Sequence, residues 1–354
     1  MRVGIPKEIK PKEGRVALIP PAAGELVKHG HEVYLQAGAG ITSGYPDLDY
    51  RNAGVRIVED AVTLYGEAEL VLKVKEPIAA EYGLLRDDHI LFCFLHLAAN
   101  AELALVLKDK GLTAVAFETV EEEGQLPILA PMSEVAGRLA VQIGAVLLHT
   151  SGGGRGLLLG GLPSCERGHV VVLGAGNVGR CAVGAAAEMG AQVTVFARRR
   201  ESLMPVHALG PNVTALPAYQ TLMAEAVLNA DLLVGAVLIP GARAPRLVSA
   251  ELVAQMKPGS VIVDVAVDQG GCVETIRPTD YDHPVYTEEG VVHFGVTNMP
   301  GAVPRTSSQA LSSALLPFVL RLAKKDGLGD VTLREAINVR EGEIVHSAVA
   351  DALA

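Results

Sequence analysis

Between Val170 and Arg180 the chain reads VVVLGAGNVGR, an apolar β-branched run that turns at Gly174-Ala175-Gly176-Asn177-Val178-Gly179 and continues through Ala182, Val183, Ala186 and Ala187. Three glycines at this spacing, behind a strand and ahead of a helix, suit a dinucleotide pyrophosphate. Gly174 permits the tight turn, Gly176 admits the phosphates close to the backbone, and Gly179 lets helix and strand pack closely, while the helix N-terminus offers N–H groups and partial positive charge. A second apolar strand, 191–196, completes the unit. Four further groups could do chemistry. Arg15 follows the first strand, Lys75 closes ELVLKVK before Pro77, His96 lies just beyond ILFCFL, and Asp268 follows VIVDVAV. No metal-ligand or nucleophilic-triad spacing competes with them.

The elements that must position these groups follow from hydrophobic periodicity. Residues 2–5, 32–36, 70–75, 90–95 and 113–117 read as short strands, with helical stretches such as 22–29 and 100–110 between them. This alternation predicts a parallel sheet with helices on both faces. Ligands of open α/β sheets bind at the carboxyl ends of strands, so Arg15, Lys75 and His96 are expected to face one cleft. Each has a plainer alternative. Arg15 could be a solvated loop cation, Lys73 and Lys75 a solvated edge, and His96 a hydrogen-bonded structural residue.

Residues 124–131 read as a turn and 132–149 as a long helix. The glycine-rich 151–161, SGGGRGLLLGG, lacks the phosphate-loop pattern and reads as a connector. After the fingerprint come strands 232–237, 261–267 and 291–296, and a helix 249–256 with Ser249 as its N-cap. Asp268 and Asn298 thereby stand at strand ends. Thr306-Ser307-Ser308-Gln309 has the spacing of a capping box opening the helix 310–325, with no βα unit expected beyond it. The expected fold class is α/β: two doubly wound parallel-sheet domains, a Rossmann dinucleotide-binding domain (131–304) inserted into a discontinuous substrate domain (1–130 plus 305–354). A cleft between two such domains could close to exclude water during hydride transfer.

Composition limits the alternatives. With 354 residues, 49% hydrophobic and 20% charged, the chain can bury more than one core. The most lipid-like run, 90–107, is interrupted by His96, Asn100 and Glu102, which argues against a membrane span. The opening MRVGIPKEIK has no apolar signal core, so a cytoplasmic location is expected. Net charge of −10 disfavours nucleic acid, and four dispersed cysteines suggest buried thiols, with no metal site or disulfide framework.

Several long segments resemble the alanine dehydrogenase family: VGIPKEIKPKEGRVAL, VKVKEP, LHLAAN, PMSEVAGR, VIVDVAVDQGGCVETIRPT, FGVTNMPGAVPRTS and INVREGEIVHSAVADAL. The alpha subunit of proton-translocating transhydrogenase shares the scaffold but is a poorer fit around His96 and Asp268. The resemblance implies oxidation of L-alanine to pyruvate and ammonia with a nicotinamide dinucleotide. It implies that Arg15 grips the substrate carboxylate, Lys75 binds the carboxylate or carbonyl oxygen, and His96 exchanges the proton. Asp268 would activate the water that attacks the imine. Gly174, Gly176, Val178 and Gly179, with Ser133, Val237, Leu238, Asn298 and Met299, would hold the dinucleotide, and the assembly would be a homohexamer.

One place departs from the family. An acidic residue ordinarily ends the second strand of an NAD unit and binds the adenosine ribose. Here Ala197 stands there, followed by Arg198, Arg199 and Arg200. Without that carboxylate, and with guanidinium groups beside it, a 2′-phosphate is expected to be accepted, so NADP(H) joins NAD(H) as an expected cofactor. Alternatively the arginines are solvated helix-start charges. Competing functions are a transhydrogenase-like nucleotide-binding subunit, a dehydrogenase for another amino or imino acid, and a binding protein that has lost catalysis.

Overall fold

A computed structural model describes residues 1–237 and 244–353. They form two compact units, 1–132 with 301–354 (unit 1) and 133–300 (unit 2).

Unit 1 opens with β1 (Arg2–Ile5), β2 (Glu32–Gln36), β3 (Arg56–Val58), β4 (Leu70–Leu72), β5 (Ile90–Cys93) and β6 (Thr113–Ala116). Unit 2 contains β7 (His169–Leu173), β8 (Gln192–Ala197), β9 (Val213–Pro217), β10 (Leu232–Gly235), β11 (Val261–Asp264), β12 (Val285–Glu288) and β13 (Val291–Phe294). The chain then returns to unit 1 with β14 (Ile337–Arg340) and β15 (Glu343–Ile344).

The sheet of unit 1 runs β15-β14-β6-β5-β4-β1-β2-β3, and that of unit 2 runs β12-β13-β11-β10-β7-β8-β9. Both are parallel through their centres, with antiparallel pairs only at the β14/β15 and β12 edges. The central strands are fully buried runs of Val, Ile and Leu, as expected where helices cover both faces. Each sheet reverses its winding between its first strand and its fourth: β1 beside β4, and β7 beside β10. Such a switch point opens a crevice at the carboxyl ends of the two strands.

Several expected boundaries are corrected. β11 stops at Asp264 instead of continuing to residue 267, because the Asp264 side chain accepts from Ala266 N and draws the chain into a 3-10 turn, Val265–Gln269. The helix near the C-terminus begins at Pro304 (Pro304–Leu322) with Val303 as its uncapped N-cap, so Thr306-Ser307-Ser308-Gln309 is no capping box. Proline at the first position costs nothing there, since its missing N–H would have had no helical partner. After that helix the chain adds β14 and β15 to unit 1, where no further strand was expected.

Candidate functional site

In unit 1 the crevice between β1 and β4 is where the expected charged residues gather. Arg15 lies on the long loop after β1 and is only 2% exposed. Glu13 holds it: Nε donates to Oε1 at 2.7 Å, Nη2 to Oε2 at 2.5 Å, and the Arg15 backbone N–H to Oε1 at 3.0 Å. Nη1 faces the Met132 thioether at 3.2 Å. The helix Pro304–Leu322 pins this loop, because Ser308 and Ser312 accept from Val16 N and Ile19 N. Ser308 also bonds to Ser43, whose hydroxyl donates to Gly14 O. The plainer reading of Arg15 as a solvated cation is excluded.

Lys75 follows β4 and is half-buried. Burial, and then the Arg15 guanidinium, pull its amine below the ordinary lysine value. The backbone beside it is fixed by Glu8, which accepts from Val74 N at 2.7 Å. Lys73 is no solvated edge. It is 1% exposed and donates to Glu81 at 2.6 Å, with Glu8 at 3.5 Å. Burial opposes its charge, but Glu8 and Glu81 outweigh that and hold the ammonium above its ordinary value.

His96 stands one strand over, beyond β5, with Phe94 N bonded to Val74 O. Its ring is half-exposed and stacks on Phe94 with centroids 5.8 Å apart. Its φ of 49° is left-handed, a conformation rare for a residue with a Cβ. Glu118, past β6, supports it by accepting from Leu95 N and from His96 N (2.6 Å), and it lies 3.8 Å from Nδ1. Sequence reasoning missed Glu8, Glu13 and Glu118. Only Glu13 carried a local signal, two residues before Arg15.

Unit 2 presents a dinucleotide cradle at its own switch point. Gly174 has φ of 109°, and a Cβ there would meet Ala236 O at 2.4 Å. A Cβ on Gly179 would lie 1.9 Å from Gly174 O, so helix and turn could not pack. At Gly176 a Cβ would meet nothing within 4 Å, which leaves space against the N-terminus of the helix Asn177–Glu188. That space, facing N–H donors that begin a twelve-residue helix, fits a pyrophosphate. Val178 lies in the first turn of that helix. Gly137, in the helix Ala130–Leu147, packs against Val178 O, since a Cβ there would lie 2.2 Å away. Ser133 precedes Gly137 by one turn on the same face. Val237 follows β10, and Asn298 has φ of 57° immediately before Met299. Leu238 lies outside the described residues.

β8 ends at Ala197, as the fingerprint unit requires. Arg198 and Arg199 are exposed, and Arg199 is the N-cap of the helix Arg200–His207. No carboxylate among the described residues pairs with either. Asp268 rides on the 3-10 turn Val265–Gln269 beyond β11. Asp264 lies beneath that turn, 1% exposed, with its carboxyl pushed up by burial against the backbone N–H groups that stabilise its charge. Among the described residues no cluster of His, Cys, Asp and Glu could hold a metal ion, and no helix is long and apolar enough to cross a membrane.

Comparison with known proteins gives concordant matches. Residues 4–136 match the model "Alanine dehydrogenase/PNT, N-terminal domain", and 140–347 match "Alanine dehydrogenase/PNT, C-terminal domain". Alanine dehydrogenase of Bacillus subtilis (strain 168) is 49% identical, over 99% of this chain and 94% of its own. A solved L-alanine dehydrogenase superposes with a TM-score of 0.96 at 50% identity, covering 99% of both chains. Transhydrogenase from Sinorhizobium meliloti superposes with a TM-score of 0.85 at 28% identity, over 98% of this chain and 100% of that one.

Proposed function

The chain belongs to the alanine dehydrogenase/PNT family, and on that premise we propose that it interconverts L-alanine with pyruvate and ammonia, using NAD(H). The observation that carries this reading is the Arg15 and Lys75 pair at the β1/β4 switch point, where a small carboxylate would find one fixed and one adjustable cation. The greater identity to alanine dehydrogenases than to the transhydrogenase favours it over a nucleotide-binding subunit.

In this reading unit 1 binds substrate and unit 2 binds the dinucleotide. Glu13 fixes the Nε/Nη2 edge of Arg15. A substrate carboxylate would replace the weak Met132 thioether acceptor on Nη1 with a charge-assisted bond. Lys75 would bind the second polar oxygen. A bound nicotinamide would supply the hydride acceptor, so that loss of hydride from Cα leaves an imine on the substrate. His96 would take the amine proton beforehand and return one to the departing ammonia. Asp268 would order and deprotonate the water that adds to the imine carbon.

The same reading extends to cofactor choice. Arg198 and Arg199, exposed beside Ala197, would supply paired donors to a 2′-phosphate, so the enzyme accepts NADP(H) as well as NAD(H). The oligomer would be a homohexamer in the cytoplasm, which sedimentation would check for the assembly.

Initial rates with pyruvate and ammonium, run in parallel with NADH and NADPH, test the reading. Turnover with either cofactor supports it. Tight nucleotide binding without turnover would overturn it and point to another keto acid or to the transhydrogenase-like alternative. Replacing Arg198 and Arg199 with alanine should raise KM for NADPH by about 10- to 100-fold, the worth of one or two hydrogen bonds to a charged group, with KM for NADH little changed. Equal effects on both would sink the NADP proposal.

A further inference from the structure

We propose that Asp264 is a positioning residue for Asp268, one buried carboxylate stapling both ends of the turn that carries it. This rests on the reading of Asp268 as the group that activates water. Oδ1 accepts from Ala266 N at 2.9 Å, on the entry side of the turn. Oδ2 accepts from Cys272 N at 2.7 Å and from Val273 N at 3.2 Å, on the exit side. The Cys272 thiol adds a longer contact to Oδ1 at 3.8 Å. Asp268 therefore sits in a segment whose two ends converge on a single side chain.

The surroundings are shaped to keep that carboxylate in place. Gly235 of β10 pairs in register with Asp264, and a Cβ at that position would come within 2.4 Å of Oδ1. A glycine inside a buried strand weakens it, and here it opens room for the carboxylate. Gly270 and Gly271, with φ of 91° and 75°, take the chain back towards Cys272. A Cβ on Gly271 would also press on Oδ2, at 2.9 Å. Gly271 N bonds to Ala266 O at 3.0 Å and closes the turn a second time.

Burying a carboxylate is costly unless its oxygens are well supplied with donors, and three backbone N–H groups meet that need here. Both oxygens of Asp264 are taken up by backbone donors at the two ends of the turn, so its contribution passes through the turn. Displacing a reacting group by about 1 Å can cost ~10²-fold in rate.

The test compares Asp264→Asn, Asp268→Asn and the double variant with the full-length enzyme, measuring kcat, KM for pyruvate and KM for NADH. The amide is isosteric, but its NH2 opposes backbone donors on one side of the staple. Asp264→Asn should lower kcat by about 10- to 100-fold with both KM values within about twofold. The loss should disappear in the Asp268→Asn background, as expected for a residue acting through another. Wild-type kcat in Asp264→Asn, or a loss that multiplies in the double variant, would overturn the inference. If Asp268→Asn alone retains kcat, the reading of Asp268 fails first and takes the inference with it, which is a separate outcome. Should Asp264→Asn not fold, Cys272→Ala removes the thiol contact at the cost of a small buried void. It should give a smaller loss of kcat with the same dependence on Asp268, and a loss independent of Asp268 would count against the proposal.

Discussion

Glu13→Gln isolates the role of the buried ion pair at the carboxylate site. The side chains of Glu13 and Arg15 are 0% and 2% exposed, and two of their contacts are 2.7 and 2.5 Å long. Exposed ion pairs contribute about 0–1 kcal/mol, but that range does not apply to a pair removed from water. Breaking a buried ion pair by removing one of its charges costs about 3–5 kcal/mol. At a urea m-value of ~2 kcal/mol/M, the midpoint of the transition that reports unit 1 should fall by about 1.5–2.5 M. The chain has no tryptophan, so far-UV circular dichroism is the suitable probe, and with two compact units the midpoint is the quantity to compare. KM for pyruvate should rise by about tenfold, equivalent to ~1.4 kcal/mol of carboxylate binding lost as the guanidinium loses its fixed orientation. A midpoint within experimental error of the parent, together with an unchanged KM, would refute the reasoning, since Arg15 would then need no partner.

Gly176→Ala should fold normally, because a Cβ there meets no protein atom within 4 Å, yet it should weaken NADH binding by about tenfold or more by occupying space meant for the pyrophosphate; unchanged affinity by fluorescence titration would count against the cradle. Lys75 gives a pH prediction with a definite sign. Burial and Arg15 depress its folded value, so below that value both folded and unfolded states carry the proton and the fold bears the full cost of burying an ammonium. As pH rises past the depressed value the folded state releases its proton while the unfolded chain keeps it, so stability rises until the ordinary lysine value. Lys75→Met should abolish that rise, and pyruvate affinity in the parent should decline over the same alkaline range; a parallel slope in the variant would show that another group titrates.

Much of the fold was legible because its central strands are continuous β-branched runs broken by glycine and charge. β1 and β2 match their expected bounds, and the ends of β4 and β5 lie within three residues of theirs. Strand-end placement of Arg15, Lys75 and His96 was legible for the same reason. The acidic partners were not. Glu118 lies 22 residues from His96 and Glu8 lies 66 residues from Val74, so only the sheet order brings them together. β14 and β15 were missed because the alternation in INVR lasts only four residues before a charged turn, and β15 is only two residues long. Thr306-Ser307-Ser308-Gln309 was misread because capping-box spacing is a local pattern, whereas the Ser308 hydroxyl accepts from Val16 N and bonds to Ser43, 292 and 265 residues away in sequence.

The two units share one winding, yet the residues after each first strand offer different donors to an anion. Beyond β7 the turn is short, and the helix that follows starts at Asn177 with its backbone N–H groups available to a phosphate. Beyond β1 the corresponding helix, Pro20–Lys28, begins with two prolines. Neither has an N–H, so the donors nearest the helix start are absent and a backbone cradle is weakened. The long loop before it supplies a side-chain donor instead, Arg15, held by Glu13 on a loop that Ser308 of the returning helix pins at Val16 N. A backbone cradle suits a diphosphate common to all nicotinamide cofactors. A guanidinium fixed by a buried carboxylate would suit a small carboxylic acid whose orientation must be held during hydride transfer. The same sheet order can therefore serve both ligands because the first loop of each sheet, and not the strand order, determines which donors reach the crevice.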